Sequence, residues 1–252
     1  MNDRAYRVLT YEEIGYCRII NLSAGTEDET AASQAAELAE VCDRIAWDEE
    51  ARVIVLAFDG VMNEMRSVDL IHCSELERSS LVEPVAKLKQ PVIAAVRGNA
   101  TDLGLELALA CDLRIATNDS HFGFPKMREG RIPSNGGTQR LPRLIGYAKA
   151  IQMILTGELM DAREAKRIGL LNRVVSSETL TRVAMELAQD MAGKSPLSLS
   201  YAKEALYAGR DLTLDQGLRM ELDLYLLLFT TSDRTEGITA FKEKRSPEFL
   251  GS

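Results

Sequence analysis

Residues 91–146 decide how the chain is read. They run P-V-I-A-A-V-R-G-N-A-T-D-L-G-L-E-L-A-L-A-C-D-L-R-I-A over 91–116 and H-F-G-F-P-K-M-R-E-G-R-I-P-S-N-G-G-T-Q-R-L-P-R-L-I-G over 121–146. Pro91 stops the segment before it, and Val92–Val96 is an apolar run of strand length. A turn punctuated by Gly98 and Gly104 leads into a helix over 103–111. That helix is apolar apart from one acid, Glu106. Strands over Leu113–Ala116 and around His121–Phe124 follow. An acid on an apolar helix face is either a site residue or a member of a buried hydrogen-bond network, and the residues alone leave both readings open.

Towards the N-terminus, residues 6–12 and 15–22 read as short strands, with Glu12, Glu13 and Gly15 as the hairpin signal. A helix is expected from Glu29 or Thr30 to about Trp47, on the spacing of Ala35, Leu38, Ala39, Val41, Cys42 and Ile45. Arg52–Phe58 is a buried-type strand rich in β-branched residues. The stretch D-G-V-M-N-E-M-R-S-V-D-L (59–70) is a loop into a helix that continues, with breaks, to Lys89. Strands alternating with helices predict a largely parallel sheet with crossover helices.

Towards the C-terminus the pattern turns helical. Gly136 and Gly137 open a helix that Asn135 is placed to cap. Leu144–Thr156 reads as one helix, Asp161–Ile168 as another, and Asn172–Val175 as a last strand. Segments 177–193, 196–209, 213–231 and 233–244 are helical in period. Leu222, Leu224, Leu226, Leu227, Leu228 and Phe229 are apolar nearly all round, so their helix is expected to be buried on more than one side. In a tail too small for its own core, that points to subunit contact. The expected organisation is an α/β core over 1–193 and a helical oligomerisation region over 194–252.

The 252 residues are 46% hydrophobic, enough for one large core. The net charge of −8 argues against a general binder of nucleic acid. Cys17, Cys42, Cys73 and Cys111 are irregularly spaced, as expected of a reduced, cytoplasmic protein. His72 and His121 are the only histidines, and no ligand spacing supports a metal site. The charged N-terminus has no signal-peptide core, and no apolar run reaches the ~20 residues of a membrane span.

The pieces P-V-I-A-A-V-R-G-N-A, E-L-A-L-A-C-D-L-R-I-A, F-G-F-P and G-G-T-Q-R-L-P-R-L-I-G occur in the order of the crotonase superfamily, the enoyl-CoA hydratase/isomerase family. M-I-L-T-G-E, A-K-R-I-G-L-L-N-R-V-V and F-K-E-K-R-S-P-E-F continue that order. The chain resembles this family from about residue 50 to its end. The resemblance implies a crotonase-like spiral of βαβ units with a C-terminal helical trimerisation region. It implies an acyl-CoA substrate, with coenzyme A entering as part of that substrate and no other cofactor. It further implies a homo-oligomer, either a trimer or a dimer of trimers, and an oxyanion hole of two backbone N–H groups that hold an enolate oxygen.

By position in the family's motifs, the first donor is the Arg66 N–H, anchored on Asp69 and Leu70, with Ser67 where the family has glycine. The second is the Leu103 N–H, in a run of three that is usually all glycine and here is Asp102-Leu103-Gly104. Glu106 matches the first of two glutamates in family hydratases, the acid/base that orients water. The second glutamate position is Lys126. A lysine there is an acid of lowered pKa, a partner for Glu106 or Glu129, a binder of a substrate carboxylate, or an ion-paired residue left after loss of function. Phe241, Lys242 and Lys244 match a helix that contacts coenzyme A from a neighbouring subunit. Arg140, Arg143, Asp112 and Asp69 read as structural. The implied function is therefore enolate chemistry on an acyl-CoA: hydration first, with isomerisation, hydrolysis or decarboxylation also open to one carboxylate. The alternative is a catalytically degenerate subunit, or an acyl-CoA-binding partner of an active paralogue.

Overall fold

The computed structural model describes residues 6–22, 31–59 and 80–252. Strands β1 (Leu9–Ile14) and β2 (Cys17–Leu22) form the hairpin. Glu12 and Glu13 lie within β1 rather than in the turn, which Gly15 makes with φ +56°. Helix α1 (Ala31–Ala46) and strand β3 (Val53–Asp59) follow. A short helix α2 (Glu83–Ala86) leads to β4 (Val92–Arg97) and β5 (Ala100–Thr101). The chain then forms α3 (Leu103–Ala110), β6 (Leu113–Thr117) and β7 (His121–Gly123).

Two sheets result. The main one has the order β1-β2-β3-β4-β6-β9, with β9 at Arg173–Val175. All its pairs are parallel except the β1–β2 hairpin. The second sheet is β5-β7-β8, with β8 at Met160–Asp161. Its two-residue strands β5 and β8 carry too little pattern to be seen in sequence.

The central strands are apolar at successive positions because both faces are covered. Ile54, Leu56, Phe58, Val92, Ala94 and Val96 face one core, shared with α1, α2 and α3. Val53, Val55, Ile93 and Ala95 face the other, under helix α7 (Leu180–Ala192). Asp112 ties elements together, as expected of a structural residue. Its Oδ2 accepts from the Val92 N–H at 2.7 Å and from Lys203 Nζ at 2.7 Å.

The segment after β7 departs from expectation. Leu144–Thr156 is not one helix. Leu144 ends α4 (Gly137–Ile145), and α5 (Tyr147–Thr156) starts after Gly146, whose φ of +82° and ψ of 158° interrupt helical geometry. Helix α6 (Ala162–Arg167) is capped by Asp161, which accepts from the Glu164 N–H.

The tail is helical as read: α8 (Pro196–Gly209), α9 (Leu214–Leu228) and α10 (Ser232–Glu243). The expectation that the leucine-rich helix is buried on several sides does not hold within one chain. No residue of α9 is buried, and Leu222 is 55% exposed.

Candidate active site

Strand β5 pairs with β7 in parallel register, Thr101 opposite Gly123. That register sets the corner where the chain turns into α3. The Asp102 N–H donates to the Gly123 carbonyl at 3.0 Å, one step beyond the ladder. Asp102 then takes φ +48° and ψ −115°, a conformation open to glycine and strained for a side chain. Holding it there costs about 1–3 kcal/mol. The Asp102 Oδ1 accepts from the Lys126 N–H at 3.3 Å, so the corner is fastened to the 3-10 turn at Pro125–Glu129.

Helix α3 begins at Leu103, with Asp102 as its N-cap. The first N–H groups of a helix have no acceptor within it, and the helix dipole adds partial positive charge there. The Leu103 N–H is the first of them, which suits it to a developing oxyanion. Glu106 lies three residues on, on the same side of the helix. Every residue of α3 is buried, and Glu106 is 3% exposed.

The carboxylate is held by backbone from the loop before α4. Its Oε1 accepts from the Asn135 N–H at 2.7 Å and the Gly137 N–H at 2.8 Å. Burial pushes the Glu106 pKa up, and the N–H groups of Gly137 and Asn135 oppose part of that rise. Glu106 is thus satisfied in a hydrogen-bond network while burial raises its pKa.

Asn135 does not cap α4: the N-cap is Gly136 at φ +98°, with no side-chain cap bond. The Arg140 guanidinium donates to the Asn135 carbonyl at 2.7 Å, so Arg140 braces the loop. Gly137 is required by close approach. A Cβ there would lie 2.8 Å from Phe124 Cζ and 2.9 Å from Pro133 Cβ.

The structure brings Leu103, Glu106 and Lys126 to one corner. Lys126 is half-buried in the 3-10 turn. Arg66, with Ser67 and Asp69, lies outside the described residues. Phe241 and Lys242 are elsewhere in the chain: with Tyr225, Phe229 and Phe249 they line an open cavity of about 750 Å³ that neither Glu106 nor Leu103 lines. Phe241 is 84% exposed, and Lys244 ends α10 at φ +56°. The donors Asn135 and Gly137 were missed as site residues. A backbone N–H carries no side-chain signature, and only the glycine pair hinted at close packing.

This architecture is that of the crotonase class of α/β enzymes. A crystal structure of an enoyl-CoA hydratase from Bacillus anthracis matches it with a TM-score of 0.88 at 33% identity, covering 98% of this chain and 100% of the other. The sequence model of the enoyl-CoA hydratase/isomerase family matches residues 31–252. Among curated relatives, the 2,3-dehydroadipyl-CoA hydratase of Escherichia coli (strain K12) is 42% identical over 190 residues, 75% of this chain and 74% of that protein. The (E)-benzylidenesuccinyl-CoA hydratase of Thauera aromatica is 37% identical over 226 residues, 86% of this chain and 88% of that protein. The chain belongs to the enoyl-CoA hydratase/isomerase family, and it is a hydratase-type enzyme of the crotonase superfamily.

Proposed function

We propose that the protein adds water to a 2-enoyl-CoA, or shifts protons on a related acyl-CoA, through a thioester enolate. The Leu103 N–H is one oxyanion donor and the Arg66 N–H the other. Glu106 takes a proton from water as water attacks the β-carbon. The observation that carries this reading is the placement of Glu106: a buried acid of raised pKa, oriented by two backbone N–H groups, three residues from the first N–H of its helix. Phe241, Lys242 and Lys244 are read as a coenzyme A contact supplied by a neighbouring subunit. The exposed apolar surface of α9 supports a homo-oligomer, a trimer or a dimer of trimers.

The test is turnover of short-, medium- and long-chain 2-enoyl-CoAs. Glu106→Gln should lower kcat by about 10²–10⁴-fold. Equal rates for wild type and variant would sink the assignment. Lys126, at the second glutamate position, favours one other reading: a non-catalytic subunit that pairs with an active paralogue. Calorimetric titration separates the two, since tight binding of an acyl-CoA to the isolated protein counts against a purely structural role.

A further inference from the structure

Hydration of an enoyl thioester needs two proton-transfer groups. One takes a proton from water, and one delivers a proton to the α-carbon. Glu106 supplies the first, and Lys126 brings no carboxylate to the corner. A carboxylate is nevertheless present there, on the N-cap of α3. Asp102 lies one helical turn before Glu106, and its carbonyl accepts from the Glu106 N–H at 3.0 Å. The Asp102 side chain reaches back to the 3-10 turn, where its Oδ1 lies 3.3 Å from the main-chain nitrogen of Lys126. Its backbone is the only non-glycine one at positive φ within the corner (+48°), among the described residues. Strain of this kind persists where surrounding structure imposes it, and it collects at functional sites. A glycine would relieve it, but would remove the carboxylate.

We propose that Asp102 is the second proton-transferring carboxylate, the acid that serves the thioester α-carbon while Glu106 serves water. This rests on the reading of Glu106 given above. In the hydration direction a water O–H bond breaks, its proton goes to Glu106, and a bond forms between the water oxygen and the β-carbon. The π electrons move onto the thioester as an enolate. The enolate collapses by taking the proton of the Asp102 carboxylic acid at the α-carbon. Passage of one proton from Glu106 to Asp102 resets the site, and the net change is addition of one water molecule.

The test uses Asp102→Asn, Asp102→Gly and the double variant Asp102→Gly/Lys126→Glu. Two readouts are followed: hydration of a 2-enoyl-CoA, and incorporation of solvent deuterium at the α-carbon of the saturated acyl-CoA. Asp102→Asn and Asp102→Gly should each lose about 10²-fold or more in kcat, with loss of deuterium incorporation. Thermal melting controls for folding, and Asp102→Gly should melt no lower than wild type because it suits the strained backbone. The double variant returns a carboxylate to the same corner from the neighbouring turn and should recover part of the rate. Wild-type hydration and exchange in Asp102→Gly would overturn the proposal while leaving Glu106 in place. Wild-type protein that neither hydrates nor exchanges, with Glu106→Gln no different, would overturn both readings together.

Discussion

Helices α3 and α9 are both rich in leucine, and the structure treats them oppositely. In α3 all eight residues are buried, the acid included. In α9 none is buried, although its leucines are as apolar as those of α3. Composition separates them in part, since α3 carries one charged residue in eight and α9 carries Asp215, Arg219, Glu221 and Asp223 among fifteen. The difference lies in what covers each helix. α3 is enclosed by its own chain, between the main sheet, α2 and α4, so its apolar surface contributes to folding. The surface of α9 is exposed in the single chain, and in the homo-oligomer proposed above it would contribute to association instead. At roughly 25 cal/mol per Å² the driving force per unit of apolar area is the same for either use.

The largest effect separates these two uses. Leu107→Asp puts a charge where Leu107 is fully buried and should cost more than about 4 kcal/mol, enough to unfold much of the protein. Leu222→Asp puts the same charge on a half-exposed position of α9. It should leave the fold within about 0.5 kcal/mol of wild type and lower the mass seen in light scattering. A folded Leu107→Asp, or a Leu222→Asp that melts like it, would erase the distinction. An unchanged mass for Leu222→Asp would show that α9 is not the associating surface.

The same contrast explains what could be read from sequence. The βαβ order, the buried strands and Glu106 were legible, because burial and period leave marks on side-chain type. The break at Gly146 was not: Leu144 to Thr156 keeps a helical period across a glycine whose φ sign only the structure reveals. The backbone of Asp102 was illegible for the same reason, since aspartate ordinarily marks a cap and not a strained corner. The single chain leaves α9 exposed, and periodicity cannot say which chain supplies its cover.

A middle-sized effect tests the loop that serves α3. Gly137→Ala should cost about 1–3 kcal/mol, since its Cβ meets Phe124 and Pro133 below contact distance and those rings and rims are themselves packed. It should also lower kcat more than it raises KM, because moving the Gly137 N–H disturbs Glu106 rather than the bulk of the substrate. A variant that loses stability but keeps kcat would make Gly137 a packing residue only.

The smallest effect concerns the charge that α3 carries and α9 does not bury. The Glu106 pKa is raised in the folded state, so the native protein binds this proton more tightly than the unfolded chain does. Stability from this group is therefore fully present below the ordinary glutamate pKa and is lost as pH rises through the folded value. Glu106→Gln has no such term. Its melting temperature relative to wild type should climb as pH is raised through that window and level off on either side. If the Glu106→Gln difference were flat, or grew on acidification, the two N–H groups would outweigh burial. Glu106 would then be a buried structural acid satisfied by backbone N–H groups, and the contrast with α9 would lose its functional half.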